Sequence, residues 1–205
     1  MKIRSHLIIS TLLLIILANY ACLHRSGNLP PVSQWPPQQV ATKKSVSLMF
    51  TCNFFRGDKK KQVRVKDVDT WSTQTLRVYQ ESSLFSGVQT SLTETDLRAE
   101  VKLTIRDVSN TPLLVLAGLT LFIIPCREKI EFTLETVFKN QLGDVLFACE
   151  KREDLTALHT FIEFPMTISL IGLFTYIHIY EVKFQETIYE LNRATINELL
   201  NQGIF

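Results

Sequence analysis

Two stretches constrain the fold more than any others: LRAEVKLTIRDV, from Leu97 to Val108, and KIEFTLETVFK, from Lys129 to Lys139. In the first, Ala99, Val101, Leu103 and Ile105 alternate with Glu100, Lys102, Thr104 and Arg106. In the second, Ile130, Phe132, Leu134, Thr136 and Phe138 alternate with Lys129, Glu131, Thr133 and Glu135. Successive side chains of a strand point to opposite faces, so each stretch is a long strand with one apolar face and one charged face. A sheet built from them leaves one face in water and needs a cover on the other.

The rest of the chain supplies more sheet and the cover. Asn140-Gln141-Leu142-Gly143-Asp144 is turn material, and Val145 to Glu150 returns as the second arm of a hairpin. A turn centred near Leu142 sets Cys149 opposite about Glu135. Val46, Leu48, Phe50, Cys52 and Phe54 alternate with Ser45, Ser47, Met49, Thr51 and Asn53 and predict another strand, which starts the domain near Ser45. Asp69-Thr70 reads as the cap of a helix running to about Leu84. Its inner stripe is Trp71, Val78, Tyr79 and Phe85, joined by Thr75 and Ser82. Ser86-Gly87 ends it, and Val88 to Ser91 is a short strand. At the C-terminus Phe184, Ile188, Leu191, Thr195 and Leu199 follow one helical stripe, with Gly203 as the C-cap. Strands and helices segregate along the chain. The expected architecture is therefore α+β: a two-layer sandwich, mostly antiparallel sheet backed by two helices, over residues 45–205.

Two uncharged runs stay open to more than one reading. Thr111 to Pro125 is either a buried strand or a short helix leading into a strand. Phe164 to Tyr180 reads first as the buried start of the last helix, with a β segment and a membrane span as alternatives. Whether Leu113–Ile124 and Ile168–Ile179 are core or membrane-embedded is not decided by pattern.

Net charge is +2, so no global basic field points to nucleic acid. The basic excess is local: Arg56, Lys59, Lys60, Lys61, Arg64 and Lys66 gather around one loop. That patch is either a solvated turn or a contact to anionic headgroups or an acidic partner.

The N-terminus has the three-part pattern of an export signal over residues 1–21. Lys2 and Arg4 are followed by the apolar Leu7 to Ala18, and then by the small residues Ala18 and Ala21. As a span it is short, although extension to Arg25 would give an anchor of marginal length. Residues 22–44 contain Pro30-Pro31, Pro36-Pro37 and Gln38-Gln39 and read as a flexible tether, in which Trp35 docks on the domain or sits at a membrane interface.

Ala21-Cys22 directly after the apolar run resembles a bacterial lipobox, in which the cysteine thiol receives a diacylglyceryl group before cleavage in front of it. Asn19 stands where an aliphatic residue is usual, and Tyr20 is bulky. The layout is similar to small cell-envelope lipoproteins, among them the lipoprotein subunit of the lipopolysaccharide export machine. It also resembles uncharacterised envelope lipoproteins with runs like SLFSGV (Ser83 to Val88) and LTLFIIP (Leu119 to Pro125). The resemblance implies a lipid, palmitate included, on Cys22 and attachment to a membrane. Leu23, rather than Asp, after the cysteine implies the outer membrane under the sorting rule known for some lipoproteins.

The sequence carries no phosphate-binding glycine loop and no G-x-S-x-G elbow. His6 falls in the leader and His24 in the tether, and His159 and His178 lack paired-ligand spacing. Glu131 and Glu135 share a strand's polar face and read as solvated surface. Cys52, Cys126 and Cys149 are odd in number, so at least one is free unless chains pair. The expectation is a non-enzymatic, cofactor-free, membrane-anchored lipoprotein that binds or assembles with an envelope protein. Its oligomeric state is open. The alternative is a carrier of a hydrophobic ligand in an apolar cavity.

Overall fold

The computed structural model describes residues 23–32, 34–37, 40, 42–90, 94–120, 126–159 and 170–203. In chain order the elements are β1 (Leu23–Arg25), β2 (Lys44–Arg56), β3 (Lys59–Lys61), α1 (Val65–Glu81), β4 (Phe85–Gln89), β5 (Leu97–Asp107), α2 (Thr111–Leu119), β6 (Cys126–Asn140), β7 (Val145–His159) and α3 (Leu170–Asn201). The strands form one sheet in the order β1-β7-β6-β5-β2-β3, and β4 also pairs with β2. β5, β6 and β7 are antiparallel neighbours. β2 runs parallel to the whole length of β5, from Val46 to Arg56, and its first residues run parallel to β4, which the α1 crossover makes feasible. The α+β sandwich is as the patterning predicts, with the parallel pairing of β2 as an addition.

The alternation seen in sequence decides which face is covered. Ala99, Val101, Leu103 and Ile105 of β5 are buried, as are Phe132, Leu134 and Phe138 of β6. α1 contributes Thr75, Val78 and Tyr79 to the same core, and α3 contributes Ile188, Leu191, Thr195 and Leu199. Tyr79 stacks on Phe85 and Phe138 at 5.7 and 6.1 Å between ring centroids. Between the helices, the Asn192 amide donates to Thr75 Oγ1 at 3.3 Å and to the Ile188 carbonyl at 2.9 Å. On the other face Lys102 meets Glu135 at 3.1 Å and Lys139 meets Glu100 at 2.7 Å, a wet, charge-paired surface.

Three local expectations are corrected. α1 starts at Val65, one turn before Asp69-Thr70. Arg64 grips Asp67 through two nitrogens, at 2.8 and 3.1 Å, and this pair organises the first turn. Thr70 turns its hydroxyl back to the Lys66 carbonyl instead of capping. The helix ends at Ser82-Ser83, where Ser83 takes a left-handed φ of 56°, and Gly87 lies inside β4. Cys149 faces Thr136, not Glu135, because a bulge between Phe138 and Lys139 shifts the hairpin by one residue.

Residues read as a free tether lie along the domain wherever they are described. β1 pairs with the outer edge of β7, Leu23 opposite Ala157. Trp35 sets its ring edge-on to Tyr189 at 6.5 Å, under the Arg193 guanidinium at 5.1 Å. Pro37 is buried and Val40 packs on the core. The segment is a strap that leaves the β7 edge, crosses the helix layer at α3 and feeds β2. Of the two open apolar runs, the first is helical over Thr111–Leu119. Asn110 caps it, accepting the Leu113 N–H at 3.1 Å. Residues 121–125 lie outside the described residues, as do 164–169 of the second run. α3 begins at Leu170. Among the described residues no helix is long and apolar enough to cross a membrane.

Candidate functional site

The start of α1 and the middle of α3 diverge and leave a groove of about 480 Å³. Arg64, Lys66 and Trp71 line it from α1, Tyr180 and Phe184 from α3, and Glu128 from β6. The apolar wall follows from the helix stripes. Trp71 stacks on Phe184 at 5.3 Å, and Phe184 meets Phe132 of the sheet edge-on at 4.6 Å. Where the stripes run out, charged residues take over at the rim: Arg64 with Asp67 from α1, and Glu181 from α3. The groove therefore offers flat aromatic surface with both signs of charge at its edge, an arrangement suited to a peptide segment or an amphipathic molecule.

The structure brings only part of the sequence-predicted basic patch to this groove. Arg64 and Lys66 line it. Lys59, Lys60 and Lys61 form β3, an exposed edge strand opposite Phe54, Phe55 and Arg56. Arg56 is held by Asp107 at 3.2 Å. A row of lysines on an edge strand also blunts unwanted strand pairing. Cys22 lies outside the described residues, and β1 begins at the next position.

Burial favours the protonated form of two thiols, Cys52 and Cys149. Burial, reinforced by the charge of Asp67, pushes the Cys52 thiol up to about 12, so it stays protonated near neutrality. Burial also raises Cys149, which donates weakly to Thr195 Oγ1 at 3.9 Å. No disulfide joins Cys52, Cys126 and Cys149. His159 closes β7 opposite Cys126, and His178 is exposed on α3. Among the described residues no group of His, Cys, Asp and Glu could hold a metal ion. Glu131 and Glu135 belong to separate ion pairs, Glu131 with Lys129 at 2.9 Å and Glu135 with Lys102.

One residue that the sequence pattern passes over is Glu153. It sits on the inward register of β7 with Leu155 and Ala157 and is 1% exposed. Its carboxylate accepts the Ser26 hydroxyl at 2.5 Å and the N–H groups of Asp154, Asn28 and Leu29 at 2.9, 3.3 and 3.4 Å. Burial alone would raise its pKa. The Ser26 hydroxyl and the three backbone donors outweigh burial and hold it below the ordinary glutamate value. Glu153 thus clamps the chain a few residues after Cys22. An acid on an otherwise apolar register was the available signal. The alternation in the sequence marks this strand only to about Glu150, whereas β7 continues to His159.

No protein-family model matches the sequence, and no curated protein matches it. Among solved structures, the chain is similar to a minor lipoprotein from Acinetobacter baumannii at 11% identity and a TM-score of 0.43, over 77% of this chain and 90% of that one. It is also similar to a dodecamer of a PelC variant from Paraburkholderia phytofirmans at 7% identity and a TM-score of 0.29, over 83% of this chain and 95% of that one. Neither likeness assigns a role to any residue here.

Proposed function

We propose that this chain is a cell-envelope lipoprotein, held in the outer membrane by lipid on Cys22, whose domain is a non-catalytic binding or assembly module. The observation that carries this reading is the junction at Cys22. The apolar run Leu7 to Ala18 ends just before it, and β1 starts just after it. Cleavage before Cys22 would leave every described element in place. Lipid on the thiol would hold the folded domain directly at the bilayer, because the chain is paired with β7 from Leu23 onward. Two or three acyl chains hold stably where a single one is marginal.

The aromatic groove between α1 and α3 is the surface we assign to the envelope partner. A second reading, carriage of a hydrophobic ligand, is favoured by the stacked Trp71 and Phe184 in the same groove. The test is the intact mass of the mature protein from its native membrane beside a Cys22→Ser variant. A chain starting at Cys22 plus lipid, with the variant unprocessed, supports the reading. An unmodified chain cut elsewhere refutes it.

A further inference from the structure

We infer that one end of the sheet, built from α2 and the β2–β3 hairpin around the point where the chain enters at Leu23, is the face that rests on an anionic lipid bilayer. The inference deepens the anchored reading above and relies on it for the attachment of Cys22.

The register defines this end. Lys59, Arg56, Asp107, Ile130, Leu155 and Arg25 are paired in turn across the sheet from β3 to β1. Beyond that row lie the Gly57-Asp58 turn, the whole of α2, and Leu23 opposite Ala157. The chain preceding Leu23 therefore meets the domain here, and it contains the apolar run Leu7 to Ala18. Lipid on Cys22 and an uncleaved leader would both start from this end.

α2 is an unusual surface element. Thr111–Leu119 carries no charge, and its first turn holds no acid and its last no base. Ala117 is fully buried and fixes one side to the domain, while Val115, Leu116 and Leu119 are 59%, 47% and 78% exposed. A surface helix in water normally turns a polar face outward, and this one has none. At 1.5 Å per residue it is only about 13 Å long, too short to cross a hydrocarbon core of about 30 Å. It has the size to sink into the boundary between headgroups and acyl chains. Val108 and Leu158, also exposed, extend the apolar patch over the adjoining strand ends. Lys59, Lys60 and Lys61 are exposed on β3, the edge strand that follows the Gly57-Asp58 turn at this end of the sheet, and their charge complements an anionic headgroup layer. The opposite end of the sheet also exposes Leu142, Val145 and Leu146, but on a hairpin whose turn carries the polar Asn140, Gln141 and Asp144 in place of an uncharged helix.

The test uses the full chain, purified from its native membrane and reconstituted in vesicles of phosphatidylethanolamine and phosphatidylglycerol with brominated acyl chains. A thiol-reactive, environment-sensitive fluorophore is placed in Leu116→Cys, Leu119→Cys or Leu142→Cys. The unsubstituted chain measures background from the native thiols. Expected is several-fold stronger quenching at positions 116 and 119 than at 142. Vesicle-bound protein whose probes at 116 and 119 are quenched no more than at 142 overturns the inference and leaves the anchor intact. So does a probe shielded from both bromolipid and aqueous quencher, which would mean that a protein or a second copy covers the patch. Quenching at 116 and 119 in a chain whose mass shows no lipid on Cys22 would support this face while refuting the lipoprotein reading.

Discussion

Replacing Glu153 with Gln tests how the strap is held. Three of the four donors, Ser26, Asn28 and Asp154, converge on Oε1, and only the Leu29 N–H reaches Oε2. An amide oxygen in the Oε1 position keeps the three contacts without the charge, and the amide nitrogen then faces the Leu29 donor. Hydrogen bonds to a charged partner contribute about 1.5–3 kcal/mol against about 0.5–1.5 for neutral ones, so each contact loses roughly 1 kcal/mol. The contact at 3.3 Å loses less, and a neutral amide no longer bears the desolvation of a buried charge. The net cost is about 1–2 kcal/mol at neutral pH, a drop of roughly 2–8 °C in melting temperature for a chain of this size.

The pH dependence carries the sign. The folded-state pKa of Glu153 lies below its unfolded value near 4.5, so its contribution is complete above that pH and is lost as pH falls through the folded value. Gln does not titrate, so the melting temperatures of parent and variant differ most above the unfolded value and converge as pH falls through the lower folded value. Hydrogen exchange in the variant should rise first across residues 23–32. A variant as stable as its parent at neutral pH, or a gap that survives unchanged into acid, refutes the clamp.

Other perturbations follow from the same geometry. Ser83→Gly relieves a left-handed φ of 56° at the end of α1 and should stabilise by about 0.5–1 kcal/mol in denaturant titration. Leu134→Ala removes a fully buried side chain of β6 and should cost about 2–5 kcal/mol in the same assay. Reversing Lys59, Lys60 and Lys61 to Glu in a Cys22→Ser chain should weaken sedimentation with anionic vesicles. The loss is at least about 1 kcal/mol per lysine at low salt and is erased at high salt. Cys52, with its thiol at about 12, should resist alkylation at neutral pH until the chain unfolds, as read by mass spectrometry.

Much of the layout was legible because its causes are local. The alternation in Leu97 to Val108 and Lys129 to Lys139 decides strand and face from neighbouring residues alone, and the stripe Ile188, Leu191, Thr195, Leu199 does the same for α3. Boundaries were less legible where side chains choose among partners, as when Arg64 takes Asp67 and Thr70 turns back on Lys66. Of the candidate site, the sequence singled out Arg64 and Lys66 as charges, while the groove they line exists only because α3 brings Phe184 against Trp71.

By itself the sequence determined a local basic cluster, an apolar run from Leu7 to Ala18 just ahead of Cys22, and a sheet with one face to hide, because charge, hydropathy and period are properties of neighbouring residues. Tertiary structure alone decided that β2 lies parallel beside β5, that a bulge moves Cys149 to Thr136, and that Glu153 holds Ser26 across the β7 edge. These pairings join residues far apart in the chain. Their free energy is realised only when the whole sheet and both covering helices are assembled, and no local pattern encodes it.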